Sequence, residues 1–217
     1  RCNMQKTKIE WTDYSWNPVI GCKHGCPFCY ARVISFDIYG HFNPTFFENR
    51  LNEPLKIQKP SKIFVVSMGD LFGDWVPSEW INKVFNTCIK AERHTFIFLT
   101  KNPKRYLEFK TFPNNFWIGT SILKQSDLDN TLEIFKNINA KVKFLSLEPL
   151  LTNLRLKESV DWVIIGACSD PMPKQPEKEW VIDLIEDCKK FNIPIFMKDN
   201  LIWNDKLIEF PKIISQN

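Results

Sequence analysis

Seven short apolar runs recur along the chain, at positions 14–20, 62–68, 95–100, 116–121, 142–147, 161–166 and 193–197. Four are nearly unbroken: Ile63–Val66, Phe96–Leu99, Trp162–Ile165 and Ile193–Met197. A strand with one wet face would alternate, whereas a continuous apolar run suits a strand covered on both faces, as in a parallel sheet flanked by helices. Between the runs the polar and apolar positions take a helical period. Pro77 opens one helix, at a position where a missing N–H costs little, and Pro103 opens a short one. Segments 126–139 and 176–191 complete the set, and 31–36 continues as helix after a cysteine-rich loop. Ser126 is the expected N-cap, and Asp127 and Asp129 suit the positive end of that helix. Residues 35–60, rich in Phe and Pro, read as mixed helix and loop.

Strand–helix alternation over the whole length predicts an α/β protein of about six or seven βα units. A closed eight-unit barrel usually takes about 250 residues, and this chain has 217. A partial, open TIM-like barrel is therefore expected, as one domain over 1–217 with 1–8 as a loose N-terminal segment. Pro18 fits an edge strand, because it cannot donate to a ladder. A doubly wound open sheet is the alternative; both place ligands at the carboxyl ends of the strands.

Composition supports a packed core, at 44% apolar and 25% charged. The net charge of +4 is uneven: residues 1–110 carry 16 basic and 10 acidic groups. This leaves room for an anionic partner, with ordinary surface variation as the plain alternative. No apolar run approaches the roughly 18 residues of a membrane span, and no charged-then-apolar leader opens the chain, so a cytoplasmic protein without a membrane partner is expected. Seven cysteines, an odd number, do not suggest a disulfide framework in a chain of this size. Cys88 and Cys188 fall in helical patterns as small buried hydrophobes. Cys2 precedes Met4, read as the natural start, and carries little weight.

The other cysteines carry chemistry. Cys22, Cys26 and Cys29 form a C-x3-C-x2-C loop after the first predicted strand. Three thiolates can hold a metal or cluster without saturating it. Gly21 and Gly25 let such a loop curl. The other runs end in Ser67–Asp70, Thr100–Lys101, Gly119–Ser121, Ser146–Pro149, Gly166–Asp170 and Lys198–Asp199. In a barrel these ends converge on one cavity. The plain alternative is that every strand must end in something polar.

Cys22, Cys26, Phe28 and Cys29, so placed, resemble the signature of the radical SAM superfamily. More narrowly, Ile9–Asp13, Trp16–Val19, Gly21–Cys22, Cys29–Ala31, Phe98–Lys101, Leu145–Leu150 and Asp161–Gly166 resemble a phage- and prophage-associated family of small radical-SAM-like proteins. The resemblance implies a [4Fe–4S] cluster held by the three cysteines and S-adenosylmethionine on its fourth iron. Reductive cleavage would give a 5′-deoxyadenosyl radical, and a flavodoxin- or ferredoxin-like electron donor would supply the electron. The substrate is left open between a small metabolite and a nucleotide or nucleic acid.

Carried over by position, the resemblance makes Phe28, Tyr30, Gly69, Asp70, Thr120 and Ser121 cofactor contacts, with Asp70 accepting from the methionyl ammonium. Ser67–Asp70 departs from the Gly-Gly-Glu-like segment of relatives, and Gly166–Ser169 departs from a Gly-Gly-Glu-Ser end. Cys168 stands in that second place as a candidate hydrogen-atom donor or ligand, or else a buried small residue. Glu148 is a candidate for ribose or substrate contact, or else a cap or salt-bridge residue. Lys101 and Lys198 are candidates for anion binding, or else solvated flanks.

Two other readings compete. Zinc on the three cysteines with His24 or His41 would make a structural, nucleic-acid-binding module, although no second ligand pair follows. A plain electron carrier would draw a fourth thiolate from Cys168 or Cys2. For nucleic acid, exposed aromatics among Trp11, Trp75 and Trp203 with Lys101, Lys104, Arg105 and Lys110 could offer stacking and phosphate contacts.

Overall fold

The structure, a computed structural model, describes residues 4–169 and 173–212. In chain order the elements are β1 (Gln5–Lys6), β2 (Tyr14–Trp16), β3 (Val19–Ile20), α1 (Tyr30–Tyr39), β4 (Thr45–Phe46), β5 (Lys62–Val65) and α2 (Ser78–Lys90). There follow β6 (Thr95–Thr100), β7 (Phe116–Ser121), α3 (Gln125–Lys136), β8 (Val142–Leu147), β9 (Trp162–Ile165), α4 (Lys178–Lys190) and β10 (Ile195–Met197). Tight 3-10 turns lie at Glu48–Arg50, Pro54–Lys56 and Pro103–Glu108.

The main sheet runs β1-β2-β5-β6-β7-β8-β9-β10. β1 is antiparallel to β2, and the seven strands from β2 to β10 are parallel. Strand order rises without reversal. A doubly wound sheet must reverse at a switch point; with no reversal, right-handed crossovers put every helix on one face. The sheet is therefore a curled half-barrel, as the open TIM-like expectation required.

The period-2 alternation within the apolar runs then sorts into two cores. Ile63, Val65, Phe96, Phe98, Phe116, Ile118, Leu145, Leu147, Val163 and Ile165 face the helices. Phe64, Ile97, Trp117, Phe144, Trp162, Ile164 and Phe196 face the hollow of the half-barrel. The hollow is floored by aromatic rings, with Trp162 edge-on to Trp117 at 5.7 Å and tilted against Phe144 at 5.4 Å. Residues 7–13 close the open side as a strap. Trp11 packs on Phe64 at 4.8 Å and Trp162 at 6.3 Å, and Glu10 accepts the Asp199 N–H at 2.9 Å.

Several expectations change. The run 14–20 breaks at Asn17–Pro18, and β3 leaves the main sheet to pair with β4. Pro18 is on no strand: it lies in the bend between β2 and β3, and β2 is itself no edge, because β1 pairs on its outer side. Gln5–Lys6, within the segment expected to be loose, form that strand. Ser126 lies inside α3, whose cap position is Lys124 without a side-chain cap. Cys2 and Asp170 lie outside the described residues. Among the described residues no helix is long and apolar enough to cross a membrane.

The connection from β8 to β9 carries no helix and is tied down by charge instead. Arg155 donates to both carboxylate oxygens of Asp187 on α4, at 2.9 and 2.8 Å, and the Leu156 N–H adds a third bond at 2.9 Å. The Arg155 bonds, with help from that N–H, hold the Asp187 carboxyl below its ordinary value of 3.8. Asp187→Asn is therefore expected to cost about 1–2 kcal/mol at neutral pH in urea unfolding, a figure lowered by the half-exposed guanidinium. The deficit should be full above pH 3.8 and fade as acid titrates the native carboxylate through its lower folded value.

Candidate active site at the carboxyl mouth of the half-barrel

The cysteine loop runs from β3 to α1, and Cys29 is the N-cap of α1. Gly21 and Gly25 take φ of +88° and +69°, as the curl demands. The loop is clamped to the end of β5 by a parallel bridge between Gly21 and Gly69, with the Gly21 N–H on the Met68 carbonyl at 2.9 Å. A Cβ on Gly69 would stand 2.7 Å from the Gly21 carbonyl oxygen, so this contact needs glycine. Asn17 braces the same segment by accepting the Met68 N–H at 2.9 Å, and the Tyr30 hydroxyl donates to the Ser67 carbonyl at 2.9 Å. Just before it, buried Val66 adopts φ +61°, a left-handed conformation that a β-branched residue takes only under constraint.

Asp70 ties three segments together. Its carboxylate, 4% exposed, accepts from the Phe72 N–H at 3.0 Å, the Thr100 hydroxyl at 2.7 and 2.9 Å, and the Lys101 N–H at 3.0 Å. His24, from inside the cysteine loop, places Nε2 2.7 Å from Oδ2. This corrects the expected role of Asp70: both oxygens are engaged, so it organises the wall of the site and is no vacant acceptor for an ammonium.

A cavity of about 360 Å³ opens at the carboxyl ends of the strands. Cys22, Cys26, Phe28, Cys29, Tyr30, Gly69, Asp70, Lys101, Ser121, Glu148, Cys168 and Lys198 all line it. Thr120 does not. The pleat of β7 turns Ser121 inward and Thr120 toward the helices, where it lines a separate cavity of about 120 Å³. Lys198 is not a free anion binder. It pairs with Glu148 at 2.6 Å and with Glu10 of the strap at 3.7 Å, which makes Glu148 a salt-bridge residue as well. Asn200 donates to Glu148 at 3.3 Å and to the Ala167 carbonyl at 2.9 Å. Lys101 makes no ion pair among the described residues. Buried Cys168 has its thiol pushed up by burial and then by the Glu148 charge.

A family profile described as "Protein of unknown function (DUF5131)" matches residues 6–211. The chain belongs to this family. No curated protein matches the sequence. Among solved structures, this member of the family is similar to spore photoproduct lyase complexed with dinucleoside spore photoproduct, with a TM-score of 0.58 and 11% identity over 87% of this chain and 54% of that one. A mutant of the same lyase with bound AdoMet and dinucleoside spore photoproduct gives a TM-score of 0.56 and 11% identity over the same shares. The chain spans about half the length of the structures it matches, and the likeness is one of fold.

Within this DUF5131 fold the three thiols form a donor set with the chemistry that an iron–sulfur cluster or a metal ion needs. They line one cavity, and none is in a disulfide. Among the described residues no three His, Cys, Asp or Glu groups are drawn together as ligands of a single metal ion would be. Of the histidines in the zinc alternative, His24 has Nε2 on Asp70 and His41 accepts the Asn43 N–H at Nδ1 at 3.2 Å; each keeps a second ring nitrogen. Burial pushes the Cys22 thiol up to about 12; Asp70, Cys26 and Cys29 add to the rise and the His24 N–H opposes it. A bound cationic centre has to displace that proton.

Other expectations do not survive. Trp11, on the strap, is buried against Phe64 and Trp162, and Arg105 is buried with its guanidinium on the Gly73 carbonyl at 2.6 Å. Neither is a surface for nucleic acid. Asn17 and the strap residue Glu10 carry no site signal in the sequence, while His24, weighed there as a zinc ligand, and Thr100, read there only as a polar strand end, both stand against Asp70.

Gly69→Ala tests the clamp. Its Cβ must push the cysteine loop off β5, so reconstituted iron is expected to fall by more than half while the far-UV circular dichroism stays native.

Proposed function

We propose that this protein is a radical S-adenosylmethionine enzyme. The observation that carries the reading is the gathering of Cys22, Cys26 and Cys29 with the polar strand ends around one cavity at the carboxyl mouth of a half-barrel. The likeness in fold to spore photoproduct lyase, a radical SAM enzyme seen with bound AdoMet, supports it. When bound, a [4Fe–4S] cluster with S-adenosylmethionine on its open iron would supply reductive cleavage of the sulfonium to a 5′-deoxyadenosyl radical.

The chain's own residues then divide the work. Cys22, Cys26 and Cys29 hold the cluster, and the Gly21–Gly69 clamp sets the loop. Phe28, Tyr30, Gly69 and Ser121 line the place of the cofactor. Ile9, Trp11, Phe64, Val66 and Leu99 form an apolar wall that excludes water from a reactive carbon radical. Lys198, Glu148 and Glu10 lock the strap over the open side. An electron donor of flavodoxin or ferredoxin type and a phage or prophage setting, which rest on sequence resemblance, complete the reading, with an unidentified substrate that is a small metabolite or a nucleotide or nucleic acid.

Anaerobically reconstituted protein is expected to hold about four iron and four sulfide per chain, and dithionite with S-adenosylmethionine should release 5′-deoxyadenosine. The triple variant Cys22→Ala, Cys26→Ala, Cys29→Ala should lose both; retained cleavage would sink the reading.

Cys168 is assigned as a hydrogen-atom donor. Its thiol is buried on the cavity wall and stays protonated at neutral pH. In donating, its S–H bond breaks and the sulfur is left as a thiyl radical. With no substrate in D₂O, the exchanged S–D should place one deuterium in 5′-deoxyadenosine. Cys168→Ala should cut that labelling about tenfold or more while cleavage continues; unchanged labelling assigns the hydrogen to another group.

A further inference from the structure

Beside the main cavity lies the second, smaller one, between α3 and the carboxyl ends of β6 and β7. Lys101, Thr120, Ser121, Asp127, Asn130 and Thr131 supply its polar wall. Two of these side chains stand out. Thr120 and Thr131 are 2% and 0% exposed, and neither hydroxyl has a hydrogen-bond partner among the described residues. A threonine in a helix ordinarily donates back to a carbonyl one turn earlier, and Thr131 does not. Buried hydroxyls left unpaired cost free energy, so this pair points to something absent from the protein itself.

The remaining wall says what that is. Lys101 brings an ammonium with no ion-pair partner among the described residues. Three hydroxyls and the Asn130 amide can donate. The cavity flanks the first turns of α3, a twelve-residue helix whose N-terminus has no side-chain cap and whose dipole favours negative charge. Asp127 is the one acidic group on the wall, and Lys124 lies 4.0 Å from it. A cation would meet Lys101. At about 120 Å³ the space holds on the order of four waters, enough for one oxyanion group and too little for a nucleoside.

We propose that this cavity binds one small oxyanion, a phosphate or carboxylate group of the substrate. Lys101 and Ser121 line both cavities, so a molecule anchored here extends its body over the end of β7 into the larger one. The assignment of the anion to a substrate rests on the radical-enzyme reading; the anion site itself does not.

The test uses protein without added iron or S-adenosylmethionine. Thermal unfolding is followed against inorganic phosphate and, separately, acetate, with chloride matching the ionic strength. A saturable rise in Tm is expected with one of them; the effective anion tells phosphate from carboxylate. Lys101→Met and Thr131→Val should each weaken the response about tenfold, while Thr131→Ser, which keeps the hydroxyl, and Lys104→Met, an exposed neighbour, should not. A response no greater than that of chloride overturns the proposal. So does full binding by Lys101→Met, or by a folded Thr131→Val, which would mean that water alone bridges the hydroxyls. Either failure leaves the iron and cleavage measurements untouched.

Discussion

The active end of this molecule depends on one buried charge. Asp70 draws on the cysteine loop through His24, on the turn after β5 through the Phe72 N–H, and on the end of β6 through Thr100 and the Lys101 N–H. A carboxylate out of water is costly unless its lone pairs are filled, and here donors from three separate segments fill them. The dependence is mutual. Without the carboxylate, those donors would be left without an acceptor in a dry wall, and the segments would lose their common reference point. The shape of the cavity is thus set by hydrogen bonding to a single side chain as much as by the packing of the strands.

Packing nevertheless decides where the cavity can be. A parallel sheet without order reversal sends all its carboxyl ends to one rim, and the aromatic floor fills the hollow behind them. Space remains at the rim, where the cysteine loop crosses. The left-handed Val66 sits at the junction of floor and rim. Strain of this kind is tolerated where the surroundings over-determine the backbone, and Asn17, Gly69 and Asp70 bracket this position.

Much of the architecture was legible in the sequence because fully buried parallel strands leave an unbroken apolar signature, as in Ile63–Val66 and Trp162–Ile165. The rim was legible because polar groups stand where such runs stop. What failed did so for local reasons. Thr120 and Ser121 look alike in sequence, yet the pleat sends them to opposite faces. Lys198 looked free because its partners, Glu148 and Glu10, are 50 and 188 positions away. Pro18 looked like an edge residue because the two-residue β1 carries too little pattern to be seen. His24 was weighed as a metal ligand, and nothing in the local sequence reveals that Asp70 claims it.

The strap has a kinetic meaning. Glu10 meets Asp199 across 189 positions of chain, whereas neighbouring parallel strands are joined by far shorter connections. Contacts of such long range bear the largest loop-closure entropy and form late. The half-barrel can therefore assemble strand by strand while its hollow stays open, and the N-terminal residues, though first in the chain, are among the last to dock. That order of assembly leaves the aromatic floor and the cysteine loop accessible from the side until the rest of the sheet is in place.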